Sequence, residues 1–119
     1  MPRGNMHMMN LNSEPFELIK SGRKTIELRL YDEKRQSVRV GDLIEFSNTD
    51  NSGDKLLVKV TALYIYPSFG ELYEELPLLS IGYTDENVSS AKPEDMDFYY
   101  SRSQQEKYGV VGIRLQLVN

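Results

Sequence analysis

The feature that most restricts how this chain folds lies between Gly22 and Tyr31, where the hydrophobic period changes from helical to strand-like across four charged residues. Before it, Phe16 and Ile19 sit at helical spacing behind Ser13 as N-cap and Glu14 and Pro15 in the first turn. This spacing predicts a helix over about 14–21, ended by Gly22. After it, Ile26, Leu28 and Leu30 alternate with Thr25, Glu27, Arg29 and Tyr31, so a strand running from Lys24 has one apolar and one polar face. Lys24 shares the parity of the apolar face. Either it precedes regular strand geometry or its ammonium enters a pocket. A lysine, a glutamate and an arginine are each costly to bury alone, so the fold must pair them or leave them open to a ligand.

The 119 residues suffice for one domain with a modest core, expected to span 1–119 with its folded body at about 8–117. The absence of cysteine excludes disulfides and thiolate metal sites, and His7, the sole histidine, has no partner in the sequence. A protein without metal or cofactor is expected, an all-carboxylate magnesium site being the one metal chemistry left open. No apolar run approaches the roughly 20 residues of a membrane span, and Met1–Asn5 lacks the pattern of a signal peptide. The expectation is a cytoplasmic protein without a membrane partner; its oligomeric state is not legible.

Net charge is −4, which argues against indiscriminate coating of nucleic acid. The distribution is uneven. Residues 1–39 hold eight Lys/Arg and five Asp/Glu, whereas residues 40–119 hold six and thirteen. An acidic protein with one basic strip, Lys20 to Arg39, points to a localised anion site rather than an extended electrostatic track.

Further elements follow from pattern. Met6–Leu11 is readable as a short strand. Asp32–Ser37 breaks the strand before it, Val38 and Val40 resume alternation, and Gly41-Asp42 marks a turn before a strand at Leu43–Phe46. Asn48–Lys55 is a polar loop. Leu56–Tyr66 predicts a long central strand. Phe69, Leu72, Tyr73 and Leu76 predict a helix over 69–76, and 77–93 reads as connection. Ser101 and Ser103 precede Gln104 and Glu106, a capping signal for a helix at 102–108 closed by Gly109. In the last strand Val111, Ile113, Leu115 and Leu117 should face inward, Arg114 and Gln116 outward. Five or six short strands with short edge helices suggest a small mixed barrel of the α+β class.

Gly22, Lys24, Glu27 and Arg29 spell G-x-K-x-x-E-x-R. Val40-Gly41-Asp42-Leu43-Ile44 follows after a short loop, and the chain closes on Glu106-Lys107-Tyr108-Gly109-Val110-Val111-Gly112-Ile113. On this motif and this ending the sequence resembles the ASCH domain family, a branch of the PUA-like superfamily, and in particular its small stand-alone bacterial members. The resemblance implies a PUA-like β-barrel of five or six strands with short peripheral helices and a cleft lined by the motif. It implies RNA or a nucleotide-like small molecule as partner. It also implies an alternative, because some small members are hydrolases, either amidohydrolases acting on 4-acetylcytidine or ribonucleases. In the amidohydrolase branch the motif lysine works with a threonine three residues later and a distant glutamate. Here that third position is Glu27.

The candidate ligand-binding residues are Lys24, Glu27, Arg29, Arg23, Arg39 and Tyr31, with Lys24 and Glu27 catalytic if the protein is an enzyme. Glu27 and Arg29, two apart on one strand face, can meet, and a carboxylate that positions a cation can aim it at a phosphate or a base edge. A carboxylate beside Lys24 favours a charged ammonium and hence electrostatic recognition over nucleophilic lysine chemistry. Arg23, Lys34, Arg35 and Arg39 form a possible basic rim. Tyr31, Tyr99 and Tyr100 are candidates for base stacking. Glu71, Glu74 and Glu75, on the helix after the central strand, are candidates for a general base.

Overall fold

The computed structural model describes residues 5–118. In chain order the elements are strand β1 (Met6–Leu11), helix α1 (Ser13–Lys20), β2 (Ile26–Leu30), α2 (Glu33–Gln36), β3 (Leu43–Asn48), β4 (Lys55–Tyr66), α3 (Phe69–Glu75), 3-10 turns at Val88–Ser90 and Pro93–Phe98, α4 (Arg102–Tyr108) and β5 (Val110–Leu117). The fold is α+β: five strands form one half-barrel sheet in the order β1-β3-β4-β5-β2, with the helices at its periphery. Only the β1–β3 pair is parallel. The apolar β4 strand is central, as its sequence indicates.

Two apolar clusters lie on the two faces of the sheet. On one face Phe16 and Ile19 of α1 pack with Met9, Leu11, Ile44, Phe46, Val58, Val60, Val111, Ile113 and Leu115. On the other face Phe69, Leu72 and Leu76, from α3 and the residue that caps it, pack on Ile26, Leu28, Leu30 and Val110. The alternation of β2 is thereby explained. Its aliphatic residues serve the second cluster, and Glu27 and Arg29 point away from it.

Local chemistry differs from expectation at five places. Asn12, not Ser13, is the N-cap of α1, and it makes no side-chain cap bond. Instead Asp50, from the β3–β4 loop, accepts the Ser13 amide at 2.8 Å and places a carboxylate at the positive end of the helix. Strand β2 begins at Ile26 rather than Lys24. Residues 38–40 are not a strand: Val38 is buried in the first cluster while Val40 is exposed, in the turn it forms with Gly41. Asp32, which caps α2 through the Arg35 amide, folds the polar stretch into one helical turn that carries the chain away from the sheet. Leu117 is exposed because pairing between β5 and β2 ends at Arg114, leaving the end of β5 uncovered.

The two edges of the sheet, β1 and β2, are joined by side chains. In β1 the carbonyls of Asn5 and Leu11 accept amides of Leu43 and Thr49 on the β3 side. The intervening carbonyls at Met8 and Asn10 face the other way and accept Lys34 Nζ at 2.6 Å and Arg29 Nη2 at 2.8 Å. Arg29 on β2 and Lys34 on α2 thus satisfy an edge that would otherwise be free to pair with another chain. The outer side of the β2 entry is covered too, since the amides of Thr25 and Ile26 both donate to the Ser80 carbonyl.

Gly112, in mid-strand, pairs with Leu28 on one side and Tyr64 on the other. An added Cβ would lie 2.9 Å from Leu76 Cδ1 and 3.1 Å from Ile26 Cγ2. Gly112→Ala is expected to lower stability by about 1–3 kcal/mol, as overpacking of a filled core does. In urea denaturation the midpoint should fall with the slope unchanged; an unshifted midpoint would show that the site has room.

Candidate functional site

Helix α1 ends in a Schellman turn. The Gly22 amide donates to the Ile19 carbonyl and the Arg23 amide to the Leu18 carbonyl, each at 3.0 Å. Gly22 has φ +85°, a conformation that glycine adopts without penalty. The Lys24 amide also donates to Leu18, so the turn delivers Lys24 ahead of regular strand geometry and swings its side chain toward Glu27. Both alternatives raised by its parity hold: Lys24 precedes β2, and its ammonium enters a pocket.

Glu27 is the centre of the site. It is 4% exposed. Lys24 Nζ lies 2.8 Å from its Oε1 and Arg29 Nε 2.7 Å from its Oε2, so each carboxylate oxygen holds one cation. Burial by itself would raise the Glu27 pKa, but the charges of Lys24 and Arg29 and their hydrogen bonds outweigh it and hold the carboxyl below its ordinary value of 4.5. Burial likewise works to discharge Arg29, and Glu27 more than offsets it, so the guanidinium stays charged.

These three residues form part of the lining of a cleft of about 950 Å³. One wall comes from Asn10, Asn12, Pro15 and Leu18 around the start of α1. The other comes from Tyr73, Gly82 and Tyr83 and from the run Glu94–Tyr100. Gly82 packs on the Lys24 stem. Tyr83 donates to Asp95 Oδ2 at 2.6 Å and contacts the Tyr73 hydroxyl at 2.8 Å. Asp97 accepts from Arg102 Nε and Gln105 Nε2, which ties this wall to α4. Tyr100 stacks on Phe69 with centroids 6.2 Å apart, whereas Phe98 and Tyr99 meet edge-on and are 89% and 65% exposed.

The structure brings Lys24, Glu27 and Arg29 together, puts Tyr99 and Tyr100 in the same cleft lining, and leaves the other sequence candidates elsewhere. Arg23 is exposed and borders a smaller depression with Leu79, Tyr83, Thr84, Asp85 and Glu86. Arg39 is exposed at the turn before β3 and is not part of the cleft lining. Tyr31 packs against the first apolar cluster. Of the other basic residues in the strip, Lys34 is held by Met8 and Arg35 by Asp32. Glu71, Glu74 and Glu75 are exposed on α3 outside the cleft. The residues missed by sequence reasoning are Tyr73 as a lining residue, Tyr83, Asp95 and Phe98. The dense acidic–aromatic run Glu94–Tyr100 was the one local signal for Asp95 and Phe98. Among the described residues Lys24 and Arg29 are the only cations in the lining, against Glu14, Glu27, Glu94, Asp95 and Asp97. Among the described residues no group of three His, Asp or Glu is placed to hold a metal ion, and no helix is long and apolar enough to cross a membrane.

Replacing Glu27 by glutamine leaves two buried cations without their counter-ion, and loss of about 3–5 kcal/mol is expected at pH 7. Because the folded-state pKa is depressed, the stability contributed by Glu27 is fully present above the unfolded carboxylate value and is lost as pH falls through the folded value. Denaturation curves of wild type and Glu27→Gln should therefore lie far apart at neutral pH and approach each other in acid. A gap independent of pH would contradict this origin.

The match to the ASCH domain profile covers residues 9–119. No protein of curated function matches the chain. Among solved structures, the crystal structure of hypothetical protein PH0355 is 36% identical, with a TM-score of 0.79 over 95% of this chain and 99% of that one. The solution structure of protein PF0455 from Pyrococcus furiosus is 33% identical, with a TM-score of 0.73 over 96% and 98%. A serine-to-alanine mutant of ZmASCH from Zymomonas mobilis shares the fold at 14% identity, with a TM-score of 0.66 over 98% of this chain and 70% of that one. With its motif residues gathered around one buried carboxylate and a profile match spanning nearly its whole length, the chain belongs to the ASCH domain family.

Proposed function

We propose that the cleft binds a nucleotide-like ligand, free or carried in single-stranded RNA, and that Lys24 and Arg29 are its hydrogen-bond donors. The observation that carries this reading is the pairing of both cations to one buried carboxylate inside a cleft walled by tyrosines. Glu27 fixes the two donors before any ligand arrives, which lowers the ordering cost of binding. Lys24 spends one of its three N–H groups on Glu27 and keeps the others for a carbonyl or phosphate oxygen. Tyr99, exposed on the opposite wall, offers a face for a base. Membership of the ASCH family agrees with an RNA-related role.

Recognition is better supported than hydrolysis. A carboxylate whose two oxygens each hold a cation, and whose pKa is held down, is a weak general base. Position 27 is also where the amidohydrolase pattern has threonine. Glu71, Glu74 and Glu75 do not reach the cleft to replace it.

The test is anisotropy titration of fluorescent single-stranded RNA pools across a range of salt, with RNA integrity checked on the same samples. Two cations in the lining set an upper bound: log affinity should fall against log salt no more steeply than about −1.4. Lys24→Ala, verified as folded by circular dichroism, should weaken binding by about tenfold while the RNA stays intact. A much steeper salt slope would place the phosphates outside the cleft. Cleavage lost in Lys24→Ala would replace recognition by ribonuclease chemistry, and failure of RNA and free nucleosides alike to bind would refute the reading.

A further inference from the structure

The Tyr73–Tyr83–Asp95 chain has a definite hydrogen-bond polarity. Tyr83 Oη donates to Asp95 Oδ2 at 2.6 Å, the short distance of a hydroxyl on a carboxylate. A phenol has one proton, so the Tyr83 oxygen has only lone pairs left for Tyr73 Oη, 2.8 Å away. Tyr73 must therefore donate to Tyr83, and its own oxygen has nothing left but acceptor capacity. Burial raises the pKa of both phenols, so neither loses its proton near neutrality. The Lys92 amide adds a further donor to Asp95 Oδ2 at 3.3 Å and helps hold the carboxylate in place.

All three residues belong to the same cleft lining as the cations. The two chemistries also lie close together, because Gly82, next to Tyr83 in the chain, sits against Lys24: a Cβ at Gly82 would be 3.6 Å from Lys24 Nζ. One part of the cleft thus offers the donors of Lys24 and Arg29, each held on one oxygen of Glu27. The neighbouring wall offers an acceptor at Tyr73 and carboxylates at Asp95 and Glu94. A phosphate satisfies the first and is repelled by the second. A group that carries a carbonyl acceptor beside an N–H donor satisfies both.

We propose that Tyr73, oriented through Tyr83 by Asp95, is a specificity-determining residue that accepts the N–H of a lactam-type base, one whose ring carbonyl is received by Lys24 and Arg29. Uracil, guanine and hypoxanthine have this edge, and adenine, with no ring carbonyl, does not. The inference rests on the nucleotide reading above and narrows it to a class of base. Tyr83 and Asp95 act through Tyr73 and are positioning residues.

The test titrates wild type and Tyr73→Phe, followed by NMR shifts, with uridine, guanosine, 3-methyluridine, 1-methylguanosine and adenosine. Methylation removes the ring N–H and keeps the carbonyl. Wild type should prefer uridine and guanosine over their methylated forms and over adenosine by about tenfold. In Tyr73→Phe the preference over the methylated forms should disappear, an effect that mere loosening of the wall does not produce. Asp95→Asn, which frees the chain to reverse its donors, should shrink that preference while Tyr73 is still present. Equal binding of methylated and unmethylated nucleosides by wild type, or a preference that survives Tyr73→Phe, overturns the inference and leaves nucleotide binding standing. RNA binding with no nucleoside binding, or with adenosine preferred, does the same. Absence of all binding, RNA included, overturns both.

Discussion

One carboxylate organises this protein. Glu27 is buried, carries its charge and holds a cation on each oxygen, and that single arrangement serves folding and the cleft at once. A buried ion pair is weak evidence of net stability, because desolvation offsets much of the attraction. Its value here is positional. Arg29, gripped through Nε by Glu27, extends Nη2 to the Asn10 carbonyl and so links one edge of the sheet to the other. Lys24, gripped from the other side, is held at the mouth of the Schellman turn and facing the cleft. Neither cation is free to seek solvent.

The cleft exists because the sheet curls but does not close through backbone pairing. Five strands leave β1 and β2 as edges, and side chains from β2 and α2 bridge the gap where further pairing would otherwise be needed. The start of α1 and the Glu94–Tyr100 run then form the two walls beside that seam. The second wall is fastened at several points: Asp97 to α4, Tyr100 to Phe69, and Asp95 to Tyr83. A wall held this way presents its hydroxyls in fixed directions, as recognition by hydrogen bonds requires.

The acidic lining changes how the basic strip in the sequence is to be understood. Seven basic residues between Lys20 and Arg39 look like a track for an anionic strand. Folding divides them: Lys24 and Arg29 go to the cleft, Lys34 and Arg35 to internal partners, and Lys20, Arg23 and Arg39 to separate parts of the surface. What remains in the cleft is two cations among carboxylates and tyrosines, a lining without the continuous positive charge of a track for a phosphate chain.

The elements themselves were largely legible from periodicity, since each depends on neighbours three, four or two residues away: α1, β2, β4, α3, α4 and β5 all stand close to their expected positions. The grouping of Lys24, Glu27 and Arg29 was legible for the same reason, being local to one turn and one strand. The capping of α1 by Asp50, the close packing at Gly112 and the seam at Met8 and Asn10 were not. Each joins residues far apart in the chain, and such contacts leave no period to read. The sequence by itself determined the charged triad and the helix-to-strand switch that assembles it. Only the tertiary structure decided that Tyr73, Tyr83 and Asp95 form a hydrogen-bonded chain in the same cleft lining, because the direction of such a chain depends on which distant groups packing brings within reach.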